Sequence, residues 1–387
     1  MTLRVGLLGF GNRALLGELV DAHPRARVSA ICDSDPAALE RARAVHPLAE
    51  LTTSLDELLA GPVDAVMVLS PDHTHADLAI AALNRGITVF CEKPLAITTS
   101  DSDRILQAAA DSGARLYVGH NMRHFPMVRT MRRLVQEGAI GEVVTVWCRH
   151  FVGNGGDYYF KDWHADRRNT TGLLLQKGAH DLDVIHWIAG GVTRRVTAFG
   201  KLALYGDGSR SALGDQRAAD VSEPDLWPPK AYSRLHPVID VEDLSMMLME
   251  LDNGVLASYQ QCHFTPDYWR NYTVIGSHGR LENVGDTEDG EVLLWNRRHA
   301  GYAPPDEVHR FDRGSGSHGG ADPVLIDEFV DYALDGGATE TSPIAAREAV
   351  AAGEAATRSL RSGGIPIEVE PPSAALVAAF TAKPSRL

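Results

Sequence analysis

Cysteine, positive charge and long apolar runs are all scarce in this chain. Its four cysteines, Cys32, Cys91, Cys148 and Cys262, lie far apart with no C-x-x-C pair. That spacing fits buried thiols of a reducing compartment better than a disulfide framework. Lysine and arginine total 37 against 51 acidic residues, a formal charge of −14, which argues against a nucleic-acid partner. No apolar run approaches the roughly 18 residues of a membrane span, and "LRVGLLGFG" turns glycine-rich without a basic-then-apolar leader. These absences predict a cytoplasmic, soluble protein. With 387 residues, 44% hydrophobic and 23% charged, the chain has enough material for two domains.

The first third alternates strand-like and helix-like segments. "LRVGLLG", "VSAICD", "VDAVMVLS", "ITVFCEKP" and "RLYVGH" read as strands, separated by helical patterns such as "PAALERARAV" and "SDRILQAAADSG". Ser54 and Glu57 form an S-x-x-E capping box, and Gly86 closes the helix of "HADLAIAALNRG". Repeated βα units with apolar strands predict a doubly wound parallel sheet over residues 1–120. From residue 121 to 387 the pattern changes to several alternating strands joined by short turns such as "LDNGV", with helices before and after. This predicts an α+β domain on a large, open, mostly antiparallel sheet. The polar stretch Gly206–Asp240 has no period and is expected to be a functional or interface loop.

"GFGNRA" supplies Gly9-x-Gly11-x-x-Ala14 after the first strand and at the start of the first helix. Glycines there permit a tight turn and close backbone approach to a pyrophosphate, with Asn12 in the same loop. Asp33 ends the second strand at the spacing of a ribose-binding acid, which favours NAD over NADP. Ligands in such sheets sit outside the carboxyl ends of the strands, so "SPDHTHAD" and "CEKPLA" are expected to border the cofactor. His73 and His75 stand without a third ligand in register, and His75 is expected to line the cofactor, with no metal.

A Glu92-Lys93-Pro94 at this place resembles the Gfo/Idh/MocA oxidoreductases, the glucose–fructose oxidoreductase and inositol dehydrogenase family. The glycine fingerprint, Ser70-Pro71 with His75, "GHNMRHFP", "KGAHDLD" and "SHGGADP" extend the resemblance in order over nearly the whole chain. It implies a Rossmann domain, a second domain whose sheet packs as a homodimer or homotetramer, and a cis Lys93–Pro94 bond. Ser70, His75, Glu92, Lys93 and Asn121 are then assigned to the cofactor, with Asn121 also facing substrate. Lys93 becomes the expected catalytic lysine, its ammonium partly desolvated beside the nicotinamide.

In "TTGLLLQKGAHDLDVIHW" a leucine run passes directly into Gln176, Lys177 and His180. Many family members carry an acid where this chain has Gln176, which can bind a hydroxyl but cannot ionise. A helix starting near Ala179 puts His180 in its first turn, where the dipole favours neutral imidazole, with Asp183 to orient it. His180 and Lys177 join Lys93 as catalytic candidates. Upstream, "GNGGDYYFKDWHADRRNTTG" offers Tyr158 and His164 for sugar faces and Arg167 and Arg168 for an anionic group. His318, or the group His263, Tyr268, Trp269 and Arg270, is expected to complete the pocket.

Two enzymatic readings follow. One is an NAD-dependent dehydrogenase of a secondary hydroxyl on a sugar, sugar derivative or cyclitol. The other is an NAD-dependent glycosidase working by transient oxidation, elimination and water addition, with Lys177, His164, Tyr158 and Tyr159 as extra acid and base. A sugar- and NAD-binding regulator is a third, non-enzymatic reading, opposed by the intact Lys93 and His180.

Overall fold

A computed structural model describes residues 2–153, 158–206, 235–286, 290–311 and 318–381. Most of the polar stretch Gly206–Asp240, expected to be functional, falls outside the described residues. The chain forms two compact units: Met1–His124 with Gly320–Val350 and Pro372–Leu387, and Phe125–Gly319 with Ala351–Pro371.

The first unit opens with β1 (Leu3–Leu8), α1 (Leu15–Ala22), β2 (Ala26–Cys32), α2 (Pro36–Val45), β3 (Glu50–Thr52) and α3 (Leu55–Ala60). It continues through β4 (Ala65–Val68), α4 (His75–Leu83), β5 (Thr88–Cys91), α5 (Thr99–Ser112) and β6 (Leu116–Val118). Asp35, Ser54 and Thr98 cap α2, α3 and α5 through their side chains. The capping box is only half made, because the Glu57 carboxylate takes the Thr52 hydroxyl instead of the Ser54 N–H. The strands pair in parallel in the order β3-β2-β1-β4-β5-β6. The order reverses between β1 and β4, which makes their carboxyl ends a topological switch point. β3, at one edge, is three residues long and has no apolar run to announce it.

The second unit carries α6 (Pro126–Gln136), β7 (Val143–Val152), and the short helices α7 (Tyr158–Lys161), α8 (Arg167–Thr170) and α9 (Leu173–Gln176). Next come α10 (Gly178–Ala189), β8 (Thr193–Lys201), β9 (Leu244–Leu251), β10 (Leu256–Cys262), β11 (Tyr268–Gly276), β12 (Arg280–Val284), β13 (Glu291–Trp295) and β14 (Glu307–Arg310). The sheet runs β14-β13-β12-β11-β7-β10-β9-β8-β15, the last strand being Ile367–Glu368, and only β7 and β10 pair in parallel. Burial alternates along β7 and β9, so one face of the sheet is packed and the other shows Trp147, Phe199, Met246, Leu248 and Leu256.

After this sheet the chain returns to the first unit in α11 (Ala321–Asp335). Leu325, Ile326, Phe329 and Val330 of that helix are buried with Phe90 and Tyr117 in one core, at about 1.5–3 kcal/mol of burial each. α12 (Pro343–Arg361) divides between the units, and α13 (Ala374–Thr381) packs near α5.

Candidate active site

In the first unit the sequence-expected nucleotide residues gather at the carboxyl ends of the strands. Gly9 has φ +98°, and a Cβ there would stand 2.9 Å from the Cα and N of Ser70 at the end of β4. Only glycine lets these two strand ends meet. Gly11 is the opposite case: it is exposed, and no atom lies within 4 Å of where its Cβ would point. Its backbone is open above the start of α1, with Asn12 exposed beside it. Asp33, at the end of β2, is half-buried and steered by two N–H donors, Phe10 at 2.7 Å and Asp35 at 2.8 Å. Each carboxylate oxygen keeps a lone pair for a ribose hydroxyl. An open glycine backbone at a helix start and an oriented carboxylate fit a dinucleotide.

Lys93 follows β5 on a cis Lys93–Pro94 peptide, as the family resemblance implied. Its N–H donates to Glu92 Oε2 at 2.8 Å, while Glu92 Oε1 accepts from Arg13 Nε at 2.7 Å. Arg13 also reaches Asp322 of α11 at 3.0 and 3.2 Å. Asn121 donates to the same carboxylate at 2.9 Å. Two buried acids therefore grip one arginine from the glycine loop and hold loop, lysine and Asn121 as one piece. These bonds outweigh burial and hold the Arg13 guanidinium above its ordinary value. Arg13 and Asp322 were not singled out in the sequence, because an arginine inside a glycine fingerprint gives no sign of a partner 309 residues away.

His75 has a backbone carbonyl at each ring nitrogen. It was expected to line the cofactor, but it is buried with Nδ1 2.8 Å from Pro94 O and Nε2 3.0 Å from Ser70 O. Burial lowers its pKa against the pull of those carbonyls, so the neutral ring donates to one of them. The histidine braces the Ser70 and Pro94 turns and leaves neither nitrogen for a ligand.

In the second unit the leucine run is itself helical. Lys177 has helical angles, so α9 and α10 are nearly continuous and His180 is not at a free helix start. Gln176 and His180 share one face by i, i+4 spacing, and Lys177 and Asp181 share the next. All four are buried. Gly178 permits close packing on the sheet, since a Cβ there would meet Tyr259 at 3.2 Å.

The second face meets the sheet in a charge network. Asp181 is fully buried and accepts from Arg270 Nε at 3.0 Å and from the Tyr272 hydroxyl, and His150 Nδ1 lies 3.1 Å from its other oxygen. Burial raises its pKa, but Arg270 and His150 prevail and hold it well below the usual carboxylate range. His150 is pushed well below its ordinary value by burial and by Arg270, and stays neutral. Arg270 continues to Asp286 at 3.3 Å and donates to the Tyr268 hydroxyl at 3.2 Å. That hydroxyl lies 3.4 Å from Lys177 Nζ, which also stands over the rings of Tyr159 and Tyr268 at 5.2 and 5.5 Å. Burial disfavours the Tyr268 phenolate, yet Arg270 and Lys177 hold its pKa below the ordinary value. Burial alone would weaken the Lys177 ammonium; the oxygens of Tyr159 and Tyr268 more than offset it and raise its pKa. Lys177 is therefore a standing cation at neutral pH.

Aromatic rings line the neighbouring ground. Tyr158 and Tyr159 lie 4.9 and 5.2 Å from His164, whose other face stacks on Trp163 at 3.7 Å. His263 packs edge-on to Tyr159 at 5.3 Å, and burial first, then Lys177, lowers its pKa to about 3. His318 is exposed, at φ +51°, on a turn before α11.

Arg167 and Arg168 open α8. Expected to receive an anionic substrate, they are exposed and already ion-paired. Arg167 binds Asp240 at 2.8 Å, and Arg168 binds both oxygens of Asp166 at 2.9 and 3.0 Å. Asp181, Asp286 and His150 were the residues sequence reasoning missed. Among the described residues no group of three or more His, Cys, Asp or Glu side chains is placed to hold a metal ion, and no helix is long and apolar enough to cross a membrane.

Comparison with known proteins follows the same division. Residues 3–120 match the family model described as "Oxidoreductase family, NAD-binding Rossmann fold", and residues 132–369 match "Oxidoreductase family, C-terminal alpha/beta domain" of the same Gfo/Idh/MocA group. Inositol 2-dehydrogenase of Ralstonia nicotianae is 34% identical over 195 residues, 49% of this chain and 55% of the relative. The 2,7-anhydro-N-acetylneuraminate hydratase of Mediterraneibacter gnavus is 31% identical over 216 residues, 55% of this chain and 54% of the relative. The chain thus spans about half the length of these two relatives. Among solved structures, a levoglucosan dehydrogenase in complex with NADH and levoglucosan superposes with TM-score 0.77 at 18% identity. That likeness covers 95% of this chain and 100% of the other.

Proposed function

The chain belongs to the Gfo/Idh/MocA oxidoreductase family and carries its NAD-binding Rossmann domain, and from that premise we propose that it oxidises a secondary hydroxyl of a sugar, sugar derivative or cyclitol. The observation that carries this reading is the Arg13–Glu92–Lys93 linkage, which fixes a lysine to the nucleotide loop. NAD, held by Gly9, Gly11, Asn12, Asp33 and Ser70, supplies the hydride acceptor. Lys93 donates a hydrogen bond to the reacting hydroxyl oxygen and stabilises the negative charge that grows there. His180 takes the hydroxyl proton as a neutral imidazole, and Gln176, one turn earlier, fixes the substrate's orientation without exchanging a proton. Tyr158 and His164 offer ring faces to sugar C–H surfaces.

The glycosidase reading has its own support. Tyr268, with its pKa held low between Lys177 and Arg270, and Lys177 itself are an acid and a base beyond those a simple dehydrogenase needs. One relative in the comparison is named a hydratase. We further propose that the apolar open face of the nine-stranded sheet packs on a second copy of the chain, in the cytoplasm.

Absorbance at 340 nm during incubation with NAD and a panel of cyclitols and sugars tests the main reading. Net NADH formation that vanishes in Lys93→Met supports it. Release of an aglycone from an activated glycoside, dependent on NAD but without net NADH, transfers the assignment to the glycosidase. Turnover surviving Lys93→Met would sink both.

A further inference from the structure

Arg167 and Arg168 each already have a carboxylate partner. The same unit holds a cation with no carboxylate beside it among the described residues. Lys177 is only 8% exposed, and no carboxylate among the described residues lies within ion-pair distance of its Nζ. Its contacts are the Tyr268 hydroxyl at 3.4 Å, the Tyr159 hydroxyl and the ring faces of both tyrosines. The nearest acids of the network, Asp181 and Asp286, are both committed to Arg270. Buried charges normally have a counter-charge or a full set of hydrogen bonds. An ammonium has three donors, and bonds to two neutral phenols leave one donor and the whole charge for a ligand.

The walls around it suit a sugar. Tyr159 and Tyr268 cover the ammonium with ring faces, and Tyr158, Trp163 and His164 continue the aromatic surface from Tyr159. His263 adds a neutral acceptor. Its Nδ1 lies 3.3 Å from the Asp243 carbonyl and donates there, which leaves Nε2 with a lone pair. That buried nitrogen has no hydrogen-bond partner among the described residues. A donor cation and an unused acceptor thus face one aromatic patch.

We propose that Lys177 is the anchor for an oxyanion carried by the substrate: a carboxylate, phosphate or sulfonate on a sugar whose hydroxyls and C–H faces meet His263 and the tyrosines. Rings over the ammonium keep water away, which strengthens a single ion pair. Selectivity for charge then comes from a cation with no acid beside it among the described residues. This deepens the oxidoreductase reading by naming a substrate class and rests on it.

The test is calorimetric titration of the NAD-loaded full chain with matched pairs: D-glucuronate, D-glucose 6-phosphate and 6-sulfo-D-glucose, each against D-glucose. At least one oxyanion sugar is expected to bind about tenfold or more tighter than glucose, which corresponds to about 1.4 kcal/mol. Lys177→Met removes the gap; Lys177→Arg retains part of it, which separates lost charge from lost folding. Equal binding of charged and neutral sugars, absence of binding by all three oxyanion sugars, or a gap that survives in Lys177→Met overturns the assignment. NADH formation is read in parallel. Oxidation of neutral cyclitols without any oxyanion preference removes this inference and keeps the dehydrogenase. A preference without net NADH from any sugar keeps the inference and removes the dehydrogenase.

Discussion

Replacing Asp181 by Asn perturbs the charge network at its centre with little change of volume. The wild-type carboxylate faces Arg270 Nε at 3.0 Å, which at an effective dielectric of about 20 is an attraction of about 5 kcal/mol. Neutralising it also returns part of the desolvation cost, and breaking a buried pair on one side typically costs about 3–5 kcal/mol net. Asp286 still holds Arg270 through its N–H and Nη1, and the asparagine carbonyl still accepts one bond. The expected loss is therefore at the low end, about 3 kcal/mol, or about 6–12 °C in Tm for a unit of this size.

All six tryptophans, Trp147, Trp163, Trp187, Trp227, Trp269 and Trp295, lie within Phe125–Gly319. Their fluorescence during urea unfolding therefore reports the second unit alone. The pH dependence follows from the depressed folded pKa of Asp181. Its stabilisation is fully present above the unfolded value, about 3.9, and is lost as pH falls through the lower folded value. The gap between wild type and variant is thus flat from pH 7 to pH 5 and closes only below about pH 4. A gap under about 1 kcal/mol at pH 7, less than one third of the loss expected from, would refute the assignment of Asp181 as the centre of the network.

Three further expectations concern single groups. Gly9→Ala destabilises the first unit by at least about 1–2 kcal/mol through its positive φ and its approach to Ser70 backbone. Gly11→Ala leaves the melting temperature unchanged and weakens NAD binding, so equal melting temperatures for the two variants contradict the loop geometry. Glu92→Gln raises the Kd for NAD about tenfold by loosening Arg13, measured by titration calorimetry; an unchanged Kd removes the linkage from the cofactor site. His263 remains neutral down to about pH 3 in ring-proton NMR. Its folded pKa lies below the unfolded one, so its contribution to stability is present above about pH 6.5 and fades as pH falls; titration near 6.5 would show the ring is exposed.

Much of the fold was legible because it is local. Apolar strands, caps and glycine turns declare themselves within ten residues, and the Gly9–Gly11–Asp33 set stays within the first βαβ unit. The edge strands β3, β14 and β15 were missed because each is only two to four residues long, and β14 is mostly exposed. The charge network was illegible for another reason: Asp181 meets Arg270 and Tyr272 across 89 and 91 residues of chain. The partners of His75, Arg167 and Arg168 were illegible because a sequence does not say whether a polar group already has a partner in its own chain. Lys177 shows the converse. Its proposed meaning comes from the acid that it lacks among the described residues.

The return of α11 to the first unit has a consequence for synthesis. Asp322 follows Arg13 by 309 residues, so a ribosome at roughly 5–20 residues per second needs about 15–60 s to supply it. Until then the parallel sheet lacks Leu325, Ile326, Phe329 and Val330 on one side, and Phe90 and Tyr117 lack their apolar cover. The nascent nucleotide domain is an unfinished body during nearly all of translation. A gene fragment cut at residue 120 would freeze it in that aggregation-prone state.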